Sequence, residues 1–248
     1  MMSTPGWRLM RTLGFNRLIE RLYPPTCLLC GAPGEGGRDL CAGCRSELPW
    51  NLNACARCAL PFDVAVPAGT LCGACQKKPP AFDRCVTAFR YEQAVPALVV
   101  GAKFRGQLNA ARLLGECLAV RIHEATGAAG GGRPDVLIPV PLHRRRLRQR
   151  GYNQAFEIAR SLGRALNLPV DAGCCARLMA TPPQAGLDER ARRRNIRGAF
   201  AVTASLAGVS VAVVDDVVTT GSTVNELSRI LAAAGAARVE VWAVARTP

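Results

Sequence analysis

No stretch of this sequence approaches eighteen consecutive apolar residues, so no segment of it is suited to cross a bilayer as a helix. The amino terminus also lacks the uninterrupted apolar core and small-residue cleavage site of a secretory signal. The expectation is a cytoplasmic protein with no integral membrane association. Acidic residues are scarce: 18 Asp and Glu stand against 32 Lys and Arg, for a net charge of +14 at pH 7. That imbalance predicts attraction to polyanions such as nucleic acid, or to acidic membrane surfaces. It is also what a high-GC genome produces by composition, since arginine far outnumbers lysine and Ala and Gly abound, so charge alone decides little. Aromatic residues make up only 5% of the chain, which leaves few rings for stacking on nucleobases. Beside the basic clusters described below, only Tyr152 and Phe200 offer one.

Cysteine is plentiful by contrast. Cys27 and Cys30, Cys41 and Cys44, Cys55 and Cys58, and Cys72 and Cys75 form four CxxC pairs within a segment poor in large apolar residues. A CxxC turn brings two thiolates within reach of one tetrahedral ion, and two such turns complete a four-cysteine zinc site. A disulfide framework belongs to secreted chains, and a redox CxxC would occur once, near a βαβ pattern. Eight thiolates therefore predict two zinc ions, structural ones, whose filled coordination leaves no position for a reacting water. The metal stands in for the missing core. Short intervals favour sequential pairing, Cys27, Cys30, Cys41 and Cys44 on one ion and Cys55, Cys58, Cys72 and Cys75 on the other, over a cross-braced arrangement. The predicted organisation is a basic amphipathic lead-in helix over 1–26, stopped by Pro24 and Pro25, a double zinc ribbon over 27–80 ending in the linker KKPP, and an α/β domain over 81–248.

In that last part, residues 85–91 alternate as a strand would, and VPALVVGAKF and ARLLGECLAVRIHEA read as helices. Residues 127–132 are a Gly-rich loop. VLIPV over 136–140 is a buried strand, and a helix begins near Asn153. Between them His143, Arg144, Arg145, Arg146, Arg148 and Arg150 read as a basic loop whose guanidinium forks suit a pyrophosphate or a nucleic-acid phosphate. A solvated basic loop is the alternative, and His143 is either a donor to pyrophosphate or a polar neighbour. Lys103 and Arg105 would likewise reach a bound phosphate or face water. Residues 178–187 read as a long loop. Asp188 would cap a basic helix that bears Arg190, Arg192, Arg193 and Arg194, with Arg197 following. AFAV, VSVAVV and RVEVWAVA complete the strands. Cys85, Cys117, Cys174 and Cys175 lack zinc spacing and read as buried thiols.

The stretch that organises the rest is VAVVDDVVTTGSTVNE over 211–226. Four apolar residues form a strand buried on both faces of a parallel sheet, which places Asp215 and Asp216 at its carboxyl end, where open α/β sheets bind ligands. Two adjacent carboxylates in a dry site call for a cation or for vicinal hydroxyls. Thr219, Thr220, Gly221, Ser222 and Thr223 offer hydroxyls and successive amides at a helix amino terminus, a seat for a phosphate dianion.

This segment resembles the phosphoribosyl pyrophosphate (PRPP) signature of class I phosphoribosyltransferases, which has the same order of four apolar residues, two acids and TTGST. The resemblance implies that the loop takes the 5-phosphate of PRPP or ribose 5-phosphate and that Asp215 and Asp216 take the ribose hydroxyls. The CxxC ribbons, KFRG at Lys103, PVPLHRRRLRQRGYNQA at Pro139, the segment from Arg177 through Thr181 and Gln184 to Asn195 and Phe200, and DDVVTTGST at Asp215 together resemble the ComF family of competence-associated, phosphoribosyltransferase-like proteins. That resemblance spans nearly the whole chain. It implies a class I phosphoribosyltransferase fold, with a mainly parallel sheet flanked by helices behind a small zinc-ribbon domain, and a role in natural transformation and the handling of single-stranded DNA. An enzyme of this type, acting on PRPP with Mg2+, would displace pyrophosphate from ribose C1 in favour of an acceptor that the sequence does not name. A single-stranded-DNA-binding module that uses the same scaffold without PRPP turnover is the alternative.

Overall fold

The computed structural model describes residues 24–127, 132–179 and 196–248. The lead-in helix expected ahead of Pro24, most of the 178–187 loop, and the helix expected from Asp188 with Arg190, Arg192, Arg193 and Arg194 lie outside them. The chain divides into two compact units, one ending at Leu48 and one running Pro49–Pro248.

In the first unit the Cys27 amide donates to the Ala32 carbonyl at 2.8 Å, and the Gly31 amide returns to the Cys27 carbonyl at 2.9 Å. Gly31 closes this knuckle with φ +77°, the left-handed region that a glycine enters without steric cost. Helix α1, Ala42–Glu47, then starts from Cys41, whose Sγ accepts the Cys44 amide at 3.4 Å. The second unit opens with the same construction. The Cys55 amide donates to Leu60 O at 2.8 Å and the Ala59 amide to Cys55 O at 2.9 Å, and α2, Gly73–Lys77, starts from Cys72. Lys77, expected in the linker, thus closes a helix.

The α/β part follows as β1 (Arg84–Arg90), α3 (Val95–Phe104), α4 (Leu108–Gly127), β2 (Val136–Pro139), α5 (Arg144–Arg150), α6 (Gln154–Leu166), β3 (Cys175–Arg177), β4 (Phe200–Val202), β5 (Ser210–Val218), α7 (Ser222–Ala233) and β6 (Arg238–Arg246). Four strands form one parallel sheet in the order β1, β6, β5, β2. Val211, Ala212, Val213 and Val214 are wholly buried, as a strand covered on both faces must be. Val211 and Val213 pack in one cluster with Val224, Leu227 and Leu231 of α7. Side-chain alternation turns Ala212 and Val214 to the opposite face, where α4 and α6 pack on the sheet and on each other. The α4–α6 approach is close. A Cβ on Gly115 would come within 2.7 Å of both the Ile158 carbonyl and the Ser161 Cβ, so only glycine fits at that crossing.

Two features differ from the sequence reading. The arginine stretch after β2 is helix α5 rather than a loop: His143 caps its start, Gly151 ends it at φ +83°, and the intervening arginines are good helix formers. The short β3 pairs antiparallel with β4 outside the main sheet. The four cysteines without zinc spacing, Cys85, Cys117, Cys174 and Cys175, are all buried. Among the described residues no helix is long and apolar enough to cross a membrane.

Candidate functional site

The eight CxxC cysteines gather in the pairing expected of sequential ribbons: Cys27, Cys30, Cys41 and Cys44 form one group and Cys55, Cys58, Cys72 and Cys75 the other, with the sulfurs of each within 4.8 Å of one another. Four thiolates each about 2.3 Å from a tetrahedral zinc ion stand about 3.8 Å apart. The Sγ–Sγ separations of 3.7 Å for Cys30–Cys41 and 3.6 Å for Cys58–Cys72 fit that geometry. Backbone donors favour the thiolate at Cys27 and Cys55, whereas burial holds the Cys58 and Cys75 thiols up. Burial pushes the Cys55 thiol up, but the amides of Cys72, Cys58 and Arg57 outweigh it and bring it down to about 7. The Cys72 amide reaches the Cys55 Sγ at 3.2 Å. These two all-cysteine groups are the donor sets of structural zinc, with no ligand position left over.

The acids lie on β5, which runs on past VAVV to Val218, with Asp215 opposite Ala243 of β6. Both are buried, at 9% and 4% exposure. The Asp216 amide donates to Asp215 Oδ1 at 2.8 Å and the Val217 amide to Asp216 Oδ1 at 2.9 Å, which fixes both carboxylates. Burial first, then the neighbouring charge of Asp216, hold the Asp215 carboxyl well above its usual range, against the pull of Lys103. Lys103, at the end of α3, places its Nζ 2.7 Å from Asp216 Oδ2. Burial draws the ammonium down, yet the two aspartates raise it overall, so it stays charged.

A cavity of about 740 Å³ opens over these acids. Of the residues singled out in the sequence, Lys103, Arg146, Arg150, Asp215, Asp216, Thr219 and Thr223 line it. Four cations, Lys103, Arg146, Arg150 and Arg177, face two acids there, a balance that suits a ligand of several negative charges. Arg144, Arg145 and Arg105 are exposed and line neither this cavity nor the second one described below. His143 Nδ1 accepts the Arg145 amide at 3.2 Å and so serves as the cap of α5.

The loop after β5 turns at Gly221, φ +75°, directly into α7. Gly221 brings no side chain to cap that helix, the Ser222 amide reaches only Thr220 Oγ1 at 3.4 Å, and no acid sits in the first turn, so no charge already neutralises its positive end. Thr220 Oγ1 and Ser222 Oγ share a hydrogen bond of 2.8 Å. Thr220, Gly221 and Ser222 border a second cavity of about 600 Å³, together with Cys58, Cys72, Cys75, Arg197 and Arg246.

Three contributors had no site role in the sequence reading. Arg177 enters the first cavity from β3, its guanidinium lying 5.4 Å from the Phe200 ring centroid. Phe104 stands at the same cavity, 66% exposed. Arg246, buried at the end of β6, donates through Nη1 to the carbonyls of Val218 at 3.2 Å and of Thr219, and through Nε to the Cys58 carbonyl at 3.3 Å. Of the two aromatics that the sequence pointed to, Tyr152 also lines the first cavity and Phe200 does not. The Tyr152 hydroxyl donates to Ala102 O at 2.5 Å, and Phe200 is buried.

A family model described as the double zinc ribbon domain matches residues 18–76. DNA utilization protein YhgH of Escherichia coli O157:H7 is 36% identical over 225 residues, covering 90% of this chain and 98% of that protein. Competence protein F of Haemophilus influenzae is 33% identical over 210 residues, covering 84% and 90%. Among solved structures, the glutamine PRPP amidotransferase of B. subtilis aligns over 58% of this chain and 30% of its own, with a TM-score of 0.38 and 18% identity. A purine phosphoribosyltransferase from Pyrococcus horikoshii aligns over 58% and 76%, with a TM-score of 0.34 and 19% identity. Those two scores are too low to carry an argument about site or activity. The sequence relatives are of another order: at their identity and coverage, the chain belongs to the ComF family.

Proposed function

We propose that the first cavity binds a phosphoribosyl group of the PRPP type and that the chain acts on it as a Mg-dependent transferase in the service of DNA uptake. The observation that carries this reading is the meeting, around one cavity, of the buried Asp215–Asp216 pair, Thr219 and Thr223 from the two ends of the loop, and four cationic side chains. The 5-phosphate would sit on residues 219–223 at the uncapped start of α7. Asp215 and Asp216 would accept from the vicinal hydroxyls of the ribose. Both acids are also hard oxygen donors, and with Lys103 already balancing one of them they suit magnesium held jointly with a diphosphate. Magnesium, when bound, supplies neutralisation of the leaving group's charge. Arg146, Arg150 and Arg177 supply the same from the protein side. The C1–O bond breaks with its electron pair leaving on pyrophosphate, and an acceptor nitrogen completes the new bond at C1. Positioning and electrostatics suffice for such a step, and no covalent nucleophile is needed.

Titration calorimetry with PRPP and Mg2+ tests the binding. Saturable heat is expected for the wild type and none for the Asp215→Asn, Asp216→Asn double variant. Pyrophosphate release with a panel of free bases then tests turnover. A second reading, single-stranded DNA binding without PRPP, draws support from the exposed Arg105, Arg144, Arg145 and Arg148 and from the relatives' names. Steeply salt-dependent DNA binding that is lost on neutralising Arg144, Arg145 and Arg148, with no response to PRPP, would displace the first reading in its favour.

A further inference from the structure

A phenylalanine left two-thirds exposed is out of place in a chain this poor in aromatics. Phe104 is the last residue of α3, next to the Lys103 that binds Asp216, and its ring borders the first cavity. The Arg150 guanidinium lies 4.9 Å from its centroid, anchored in turn by a hydrogen bond to Gln154 Oε1. A cation over one face holds the ring in place and leaves the rest of its 66% exposed surface toward solvent and cavity. A fixed, half-bare ring at the edge of a polar, cation-rich pocket is a stacking platform for another flat ring.

We infer that Phe104 is the base-stacking shelf of the first cavity and that the ligand class is a ribonucleoside 5′-phosphate: a nucleobase on Phe104 joined to a ribose phosphate on the acid pair and the 219–223 loop. The inference rests on the proposed phosphoribosyl reading and adds the base. Ribose is favoured over deoxyribose because only ribose presents the vicinal hydroxyls that two side-by-side carboxylates can share. The shelf is independent of the loop, so removing the ring subtracts the base's contribution and leaves that of the ribose phosphate.

The test compares adenosine 5′-monophosphate, its 2′-deoxy form, ribose 5-phosphate and a short oligo(dT) by calorimetry on the full chain, in wild type, Phe104→Ala and Phe104→Trp. Adenosine monophosphate is expected to bind at least about tenfold more tightly than ribose 5-phosphate, the advantage a single stacked base confers. Phe104→Ala abolishes that difference without changing ribose 5-phosphate binding, and Phe104→Trp restores it. Because Phe104 is exposed, the alanine variant keeps its fold. Equal binding of adenosine monophosphate and ribose 5-phosphate by the wild type, or a loss of both in Phe104→Ala, overturns the shelf while the phosphoribosyl reading stands. If neither binds, that reading falls and the shelf with it. Binding of oligo(dT) alone, dependent on Phe104, overturns the ribonucleotide assignment in favour of a strand-binding surface.

Discussion

The two four-cysteine groups share a turn, a helix start and a donor set, yet they are embedded differently. In the first, Cys30 is exposed and Cys41 and Cys44 are half-buried, whereas in the second Cys55, Cys72 and Cys75 are all buried. The first group closes a small unit ending at Leu48, with little apolar material of its own. The second belongs to the unit that carries the sheet and is tied into it residue by residue. The Asn51 amide group donates to Ala59 O at 2.9 Å and to Thr87 Oγ1 at 2.8 Å, the Cys85 amide donates to Arg57 O at 2.8 Å, and Ala59 joins the apolar cluster of β5 and α7. One metal chemistry thus does two things: it replaces a core in one unit and serves as a wall of the core in the other.

The most direct way to break that contrast is to remove one ligand from each group. Cys30→Ser is expected to lose one equivalent of zinc and leave both the urea transition of the α/β unit and its ribose 5-phosphate binding unchanged. Cys75→Ser is expected to lower that transition by about 4 kcal/mol or more, the range reserved for events such as loss of a metal site. Zinc content and denaturation curves together decide it. Equal effects of the two variants would mean that the second group is no more integrated than the first.

Arg246 sharpens the comparison, because it joins a ligand of the second group to the start of the 219–223 loop. Its guanidinium spans the Cys58 carbonyl and the carbonyls of Val218 and Thr219, and no metal ligand of the first unit has a counterpart to it among the described residues. Arg246→Ala leaves those acceptors without their donor, at a cost of about 2 kcal/mol, and removes a buried positive charge from beneath the loop. Ribose 5-phosphate binding should weaken with it. By linkage, bound ribose 5-phosphate should raise the zinc affinity of the second group, read by equilibrium competition with a chelator, in the wild type but not in Arg246→Ala. Zinc affinities indifferent to ligand in both proteins would remove the connection.

How much of this was legible follows from how local each feature is. The cysteine groups and their pairing could be read because CxxC spacing and short intervals fix them within a few dozen residues. β5 and the turn at Gly221 were equally readable, because an apolar run, two acids and a Thr/Gly/Ser loop are contiguous. Lys103 left its two options open, since its partner Asp216, 113 positions later, is brought to it only by the tertiary fold. Helix α5 escapes a reading by periodicity because RRRLRQR carries no apolar stripe and buries no residue, so only its frame, His143 and Gly151, and the propensity of its residues mark it. β3, three residues long, is too short to show alternation. Arg246 did leave a signal: an arginine closing an otherwise apolar buried strand needs acceptors, and the nearest are loop carbonyls.

A smaller effect separates the two units by pH. Among the described residues only the second unit holds a carboxyl raised by burial and by a neighbouring acid, that of Asp215. Its folded pKa lies above the unfolded one, so the stability it contributes is fully present below the unfolded value of about 4 and is lost as pH rises toward the folded one. Asp215→Asn keeps the Oδ1 acceptor for the Asp216 amide and discards the charge. It should therefore melt higher than wild type at pH 8, with the advantage shrinking as pH falls toward the unfolded value. The same variant should lose ribose 5-phosphate binding. A pH-independent difference, or a lower melting point throughout, would show that the acid pair is not held at the expense of stability.

The finest test uses a position where the two knuckles differ in residue but share a left-handed backbone. Gly31 at φ +77° and Ala59 at φ +55° close equivalent turns. At Gly31 a Cβ would meet nothing within 4 Å, so Gly31→Ala adds only left-handed strain, about 1 kcal/mol. At Ala59 the reverse change relieves that strain, but it also withdraws a methyl that is 97% buried in the core of the second unit, by its exposure of 3%. The lost methyl costs about 0.8 kcal/mol and the added chain freedom of glycine about 0.5 kcal/mol. Ala59→Gly is accordingly expected to change the urea midpoint of its unit hardly at all, while Gly31→Ala measurably hastens zinc loss from its own group. If the knuckles were interchangeable modules, the two substitutions would be equal and opposite. The asymmetry measures what packing against the sheet adds to the second one.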